Sequence, residues 1–104
     1  MNRLNDESLK QLHRLSARLW DFSPSHDRLT YRINTTNPES EKYLIFIECD
    51  AIETLVFWKI TNLRISKEGG LLIVEDNDMK IKCKEVFLES GYTLDYFNDK
   101  YGSN

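Results

Sequence analysis

Glycine, proline and cysteine are scarce in this chain, and it contains no long hydrophobic run. It has four glycines, two prolines and two cysteines in 104 residues. The glycines do not form the Gly-x-Gly-x-x-Gly or Walker-type loops that cradle phosphate groups. The longest apolar run, residues 43–47, is far shorter than the ~20 residues that a membrane-spanning helix needs. These absences argue against a nucleotide-binding enzyme and against a membrane protein.

The two cysteines, Cys49 and Cys83, are 34 positions apart. This spacing matches neither a metal site nor a Cys-x-x-Cys redox motif. Both alternate with apolar side chains, which favours two buried free thiols. The alternative is a disulfide, which would require an oxidising compartment. Because residues 1–7 lack the apolar core of a secretory signal, we expect a cytoplasmic protein. Because no metal-ligand spacing or cofactor motif is present, we expect no metal or other cofactor.

Charge is unevenly distributed along the chain, which carries a net −3. Residues 1–32 hold six Lys and Arg against four Asp and Glu, whereas residues 33–104 hold eight against thirteen. Neither part has the concentrated basic footprint that general nucleic-acid binding requires. The acidic second part favours a basic partner protein.

Three apolar runs organise the chain, and their length suits one domain over residues 1–104. Residues 43–47, 55–60 and 71–74 consist almost entirely of aliphatic and aromatic side chains. Such runs between turn signals are typical of buried strands. None of them contains a nucleophile beside a base or a cluster of metal ligands, so we expect these residues to form core.

The pattern before the first strand predicts an amphipathic helix over residues 5–20. Its apolar stripe, at steps of three and four, consists of Leu9, Leu12, Leu15 and Leu19. Asn5 or Asp6 can accept from free backbone N–H groups as the N-cap. Pro24 ends the helix, because the residue before a proline avoids helical geometry.

Alternating and apolar segments predict an antiparallel sheet after this helix. We predict strands over residues 28–33, 43–49, 54–65, 71–75 and 79–88, with residues 92–97 as a last strand or a loose aromatic segment. The first of these is predicted as a half-buried edge or outer strand, and residues 50–53 as a turn or one helical turn. The facing side changes near Asn62 and at Glu85, which indicates bulges or short breaks. Gly69 and Gly70 give the strongest turn signal.

These elements predict an α+β fold in which an N-terminal helix packs on an antiparallel meander of about six strands. A sheet that curled completely would close into a small barrel. The sequence leaves open whether the protein is a monomer or a homodimer.

Two stretches carry the candidate binding residues. His26 and Asp27 combine a base with a carboxylate, but no oxyanion-hole glycines accompany them, so we interpret them as a structural or partner-contacting loop. Tyrosine and acid are combined near the chain end, where they form a partner-binding patch or, alternatively, a lid over the core. That patch consists of Tyr92, Asp95, Tyr96 and Asp99.

Charged runs elsewhere have simpler interpretations. Lys80, Lys82 and Lys84 alternate along one strand face, which favours a solvated surface over a phosphate site. Residues 76–78 start like a calcium loop but lack its glycine and its distant glutamate, so we predict a turn.

An aromatic residue, a His-Asp pair and alternating strands follow one another over residues 20–65, carried here by Phe22, His26, Asp27 and the strands 28–33 and 43–47. In this order the chain resembles a group of small bacterial proteins that includes immunity proteins of toxin–antitoxin and contact-inhibition systems. The resemblance implies a non-catalytic protein that works by binding another protein.

The predicted function is therefore a non-catalytic protein-interaction module, immunity-like, that binds and blocks a partner. The alternative is a carrier that holds a small apolar ligand inside a curled sheet among Phe46, Phe57 and Trp58. We do not expect an enzyme.

Overall fold

The computed structural model describes residues 3–23, 28–34 and 42–90, which contain one helix and nine strands. Helix α1 spans Asp6–Leu12, and the strands are β1 Ser16–Ser23, β2 Arg28–Asn34, β3 Lys42–Ile47, β4 Ala51–Glu53, β5 Phe57–Lys59, β6 Arg64–Glu68, β7 Leu71–Asp76, β8 Met79–Cys83 and β9 Glu85–Ser90. They form an antiparallel five-stranded sheet and an antiparallel four-stranded sheet. The α+β class is therefore confirmed, with strands predominating.

Helix α1 begins where the sequence predicts. The side chain of Asn5 accepts a hydrogen bond from the backbone N–H of Ser8 at 2.9 Å, which makes it the N-cap. Just before the helix, the N–H of Leu4 donates to a carbonyl of β9. Just after it, the N–H of Arg14 donates to the carbonyl that follows β5. Because β9 and β5 are the two edges of the five-stranded sheet, the helix crosses that sheet.

The prediction that the helix extends to residue 20 is wrong, because it ends at Leu12 and the chain enters β1. Arg14 has a φ of 74°, which breaks the helical path. Leu15 and Leu19 are four positions apart, and this even step places them on one face in a helix and in a strand alike. In β1 that face also buries Ala17.

The five-stranded sheet has the order β5-β1-β2-β3-β9. The prediction of β2 as an edge or outer strand is wrong, since it lies at the centre. Its polar face is buried at Arg28 and Thr30, where Arg28 donates to the carboxylate of Asp21 at 2.9 Å. On the same outer face, β3 and β9 carry a second small buried apolar cluster; it consists of Tyr43, Ile45, Ile47 and Phe87. The alternation in β2 therefore marks an accessible side only in its second half, at Arg32 and Asn34.

The four-stranded sheet has the order β4-β8-β7-β6. Gly69 and Gly70 form the two-residue turn between β6 and β7, with φ values of 59° and 84° that glycine adopts without strain. The prediction of a turn or one helical turn at residues 50–53 is wrong, because Ala51–Glu53 pairs with β8. Residues 51–53 show no alternation of apolar and polar side chains that would predict a strand. They form β4 only through their hydrogen bonds to β8.

The changes of facing side mark places where the chain passes from one sheet to the other. Near Asn62 it leaves β5 and enters β6, and at Glu85 it leaves β8 and enters β9. The segments 54–65 and 79–88 were each predicted as one strand, and each is two. The described part of the chain thus has nine strands instead of about six, in two separate sheets that do not close into a barrel.

One main hydrophobic core joins both sheets and the helix. Its largest buried side chains include Tyr31, Phe46 and Trp58 from the five-stranded sheet, and the ring of Tyr31 packs edge-on against the other two. Cys83 is buried in this core and Cys49 is half-buried, and both are free thiols. Burial raises the pKa of Cys83 to about 12.

A buried carboxylate fixes the passage from β5 to β6. Asp76, at the end of β7, accepts hydrogen bonds from Trp58 Nε1, from the backbone N–H groups of Thr61, Asn62 and Asn77, and from the Thr61 hydroxyl. Burial by itself raises the pKa of Asp76, but these hydrogen bonds outweigh it and hold the pKa below its ordinary value. Residues 76–78 are therefore a structural turn.

Candidate protein-interaction surface

The binding residues predicted from the sequence all fall outside the described residues. These are His26, Asp27, Tyr92, Asp95, Tyr96 and Asp99. The patch proposed for them stays a prediction. Over residues 3–23, 28–34 and 42–90, no three His, Cys, Asp or Glu side chains come together in a way that could hold a metal ion. The same residues do contain two adjoining surfaces, one apolar and one basic.

A β-bulge at Trp20 lies where the two surfaces adjoin. Leu19 lies opposite Tyr31 in β2, and Asp21 lies opposite Thr30, so that Trp20 is an extra residue in β1. Before the bulge, odd-numbered side chains face the core. After it, Phe22 faces that side, because it lies opposite the buried residue Leu29. Trp20 stays on the outer face with Arg18, and the bulge turns Phe22 to the mouth between the two sheets.

The first surface, which we call the apolar groove, lies at this mouth. Its volume is about 340 Å³, and its lining consists of Leu19, Phe22, Leu29, Tyr31, Ile52, Thr54, Leu55 and Val56. The floor is formed by core side chains of β1 and β2. The wall is formed by β4 and by the connector between β4 and β5, residues 54–56. The lining offers almost only aliphatic and aromatic carbon, which suits apolar side chains or an apolar molecule.

Tyr31 holds the connector in place from inside the core. Its hydroxyl donates to the carbonyl of Leu55 at 2.7 Å, so the bond of 2.8 Å to Thr54 is donated by the threonine hydroxyl. The carbonyl of Val56 accepts from the N–H of Leu19 at 2.6 Å. Burial raises the pKa of Tyr31, partly offset by the bond from Thr54, so the hydroxyl keeps its proton. The backbone of the groove wall is therefore fixed.

The apolar run at residues 55–60 was predicted as a buried strand, and for its first half this is wrong. Leu55 is 49% exposed, Val56 67% and Phe57 50%, whereas Trp58 is buried. Strand β5 is only three residues long and lies at the edge of its sheet. An edge strand has one face toward the core, so residues that are apolar on both faces must present some of them to solvent.

The second surface, which we call the basic–aromatic patch, lies on the outer face of β5, β1 and β2. It comprises Arg18, Trp20, Arg32, Asn34 and Phe57, around a depression of about 180 Å³. The Arg32 guanidinium lies over the ring of Trp20, 5.0 Å from its centroid, and the Arg18 guanidinium lies 6.0 Å from the centroid of Phe57. Trp20 also packs edge-on against Tyr43. The rings therefore hold the two arginines side by side.

The lysines predicted to form a solvated strand face do not make a comparable surface. Lys80 lies directly between Glu75 of β7 and Glu53 of β4. Lys84 lies 3.8 Å from the carboxylate of Glu48. Carboxylates thus adjoin two of the three lysines and offset part of their charge, whereas Lys82 lies between Ala51 and Ile73.

The three residues predicted to line a carrier cavity do not face a common space. Phe46 and Trp58 are buried in the core, and each packs against Tyr31. Phe57 follows the opposite parity in β5 and faces the outer surface. Any apolar ligand would therefore bind in the apolar groove and not among these rings.

Sequence reasoning missed both surfaces. Trp20 was placed in the helix, and Leu55 and Val56 were placed in the core. One signal was present in the sequence: the run at residues 55–58 is apolar at every position, more than a core-facing side of a short strand can bury. The exposed side chains are Trp20, Phe22, Ile52, Leu55, Val56 and Phe57.

In the part of the chain that the structure describes, no helix has the length and apolar character to cross a membrane. Comparison of the chain with protein-family models, with curated proteins and with solved structures found no match.

Proposed function

We propose that this protein is a non-catalytic interaction module that binds a partner protein through the apolar groove. The observation that carries the proposal is the cluster of exposed large apolar side chains on a fixed backbone. Folded proteins rarely expose such patches unless the patch binds something. The connector is held by Tyr31 and Leu19, so its apolar side chains are displayed by a rigid scaffold.

The extent of the exposed apolar surface favours a protein partner over a small molecule. The groove, at about 340 Å³, is at the small end of ligand pockets, which span roughly 300–1,000 Å³. The exposed side chains also continue past the groove to Phe57 and Trp20 on the outer face. A small molecule in the groove would leave those two rings in solvent, whereas a protein segment can cover both places.

A selection of displayed random peptides against the folded protein tests this proposal. We expect the selected peptides to share two or three large apolar residues and to bind in the groove. Changing Leu55 and Val56 together to aspartate should weaken their binding about thirtyfold or more, because a hot-spot side chain contributes about 2 kcal/mol. The control is Ser66→Asp, which adds the same kind of charge on the exposed edge strand β6.

Two results would contradict the proposal. One is that no peptide is enriched on the native protein, and the other is that the Leu55 and Val56 variant binds the selected peptides as well as the native protein does. Circular dichroism of each variant confirms that the fold is intact. The exposed positions of Leu55 and Val56 make these substitutions compatible with folding.

The resemblance to immunity proteins stays a prediction, and it gives the partner class as a toxin that this protein blocks. A cytoplasmic location is part of the same proposal, and the free thiols support it because reducing compartments keep cysteines unpaired. If a toxin is encoded beside this gene, co-expression of this protein with the toxin should restore the growth of cells that the toxin alone inhibits. The rescue should be lost with the Leu55 and Val56 variant and kept with Ser66→Asp.

A small apolar ligand is the second candidate, favoured by the almost purely apolar lining of the groove. A fluorescent fatty acid tests it. Saturable binding with one site, abolished by Val56→Asp, would support a carrier, whereas weak and unsaturable binding would exclude it.

A further inference from the structure

We propose that the basic–aromatic patch binds carboxylate groups of the partner, so that the partner segment is apolar where it fills the groove and acidic beside it. This inference rests on the proposed function and specifies the chemistry of the partner.

The first observation is the accumulation of positive charge on one face of three neighbouring strands. Arg18 of β1 lies directly opposite Arg32 of β2 and, on its other side, opposite Phe57 of β5. Lys59 follows Phe57 by two positions and therefore points to the same face. Arg18 and Lys59, both exposed, therefore bring two cations to the face of the sheet that also carries Arg32.

The second observation concerns counter-ions. Elsewhere in the described residues several exposed cations have a carboxylate within 4 Å, as Arg3 does in Glu85 and Lys84 in Glu48. In the same described ranges, Arg18 and Lys59 make no such ion pair. Asp21, on the same face, is already bonded to the buried side chain of Arg28. Arg18 and Lys59 thus retain their charges for a ligand.

The third observation is the position of the Arg18 guanidinium. It lies 6.0 Å from the centroid of the Phe57 ring on the neighbouring strand, a cation–π contact that limits the freedom of the side chain. The N–H donors of arginine lie in the plane of the group and point away from its edges, where they match the two oxygens of a carboxylate. Arg18, supported by Phe57, can therefore bind a carboxylate with less side-chain entropy to lose than an unsupported arginine.

The neighbouring groove decides between a protein and a nucleic acid as the source of the anion. Val56 lies in the groove and Phe57, the next residue, lies in the patch. A ligand that spans both must carry apolar side chains and anionic groups a few residues apart, which an acidic protein segment does. The sugar–phosphate backbone offers no aliphatic groups for the groove. The net charge of −3 also disfavours a polyanion.

The peptides selected for the proposed function provide the test. We expect Asp or Glu to be enriched next to the apolar residues, and we expect binding to weaken as salt rises. Changing Arg18 and Lys59 together to glutamine should weaken binding about fivefold to tenfold, as expected for two exposed charge contacts. The control changes Lys80 and Lys84 to glutamine, which removes the same charge from β8 and from the link between β8 and β9.

The outcomes separate this inference from the proposed function. The inference is wrong if the peptides need Leu55 and Val56 but show no acidic enrichment, and if the Arg18 and Lys59 variant binds them normally. In that case the proposed binding of a partner in the apolar groove is still supported. If no peptide depends on Leu55 and Val56, both fail. Tight binding of random single-stranded oligonucleotides that is lost in the Arg18 and Lys59 variant would also overturn the inference, in favour of a nucleic acid.

Discussion

The two ends of the segment around β5 are held in different ways. At its C-terminal end the carboxylate of Asp76 accepts five hydrogen bonds in a buried, polar and closed setting. At its N-terminal end the hydroxyl of Tyr31 fixes the connector, but Leu55 and Val56 face solvent. Both ends have a fixed backbone, and only one has covered side chains. The exposure at the groove is therefore a property of a rigid surface and not of a loose segment.

The largest loss of stability should come from removing the carboxylate of Asp76, which holds the C-terminal end of this segment. Asp76→Ala leaves buried donors of Trp58 and Thr61 without an acceptor, and we expect a loss of about 3 kcal/mol in the free energy of unfolding. Urea denaturation measures this loss. Asp78→Ala is the matched control, because Asp78 lies exposed in the same turn and its removal should cost less than about 0.5 kcal/mol. Equal stabilities of the two variants would show that Asp76 does not hold this end.

Acid should weaken the hydrogen bonds that Asp76 accepts, because protonation removes the charge of its carboxylate. The pKa of Asp76 is lower in the folded protein than in the unfolded chain, so its contribution is fully present above the ordinary carboxyl pKa of 3.8 and is lost as the pH falls toward the folded value. Asp76→Asn does not titrate. The stability difference between native protein and this variant should be constant near neutral pH and shrink below that pKa. A difference that persists unchanged in strong acid would contradict the assignment.

Removing the hydroxyl of Tyr31, which holds the N-terminal end of this segment, should lower the stability by a smaller amount. Tyr31→Phe removes the bond to the carbonyl of Leu55 and should lower the free energy of unfolding by about 1 kcal/mol. It should also weaken peptide binding, because the groove wall loses its anchor. Thr54→Val removes the threonine hydroxyl, which contacts Tyr31 and the Leu55 carbonyl, but it leaves the bond from Tyr31 to Leu55 in place and should cost less. If Tyr31→Phe affects neither stability nor binding, the connector is held by the pairing of Val56 with Leu19 alone.

The smallest effect on stability should come from the exposed side chains themselves. Leu55→Ser and Val56→Ser should each change the free energy of unfolding by less than about 0.5 kcal/mol while reducing peptide binding. Ile60→Ala, in the same segment but buried, should cost about 3 kcal/mol. A large loss of stability in the serine variants would mean that these residues belong to the core and not to a binding surface.

Local signals were predicted well because the interactions behind them are local. The N-cap at Asn5 needs only a side chain and a nearby N–H, and the turn at Gly69 and Gly70 needs only residues that tolerate positive φ. The changes of facing side near Asn62 and at Glu85 were also found. Their meaning was missed, because a change of parity looks the same whether a strand bulges or the chain changes sheets.

The binding surface depended on contacts between distant parts of the chain. The bulge at Trp20 exists only in relation to β2, and the basic–aromatic patch exists only because β5 pairs with β1. Arg18, Arg32 and Lys59 are too far apart in sequence to be recognised as one basic surface. The predicted binding residues, by contrast, were close neighbours in sequence, which is the kind of cluster that sequence reading finds.

The sequence by itself determined that the chain builds antiparallel sheets around an aliphatic and aromatic core, and where most strands and turns lie, because periodicity and turn chemistry act over a few residues. Only the tertiary structure decided which sheet each strand joined, that residues 16–23 extend as a strand, and which apolar residues stayed outside. Those outcomes follow from which edges were available for pairing and from how much apolar surface a two-sheet core could cover, and both are set by the whole chain.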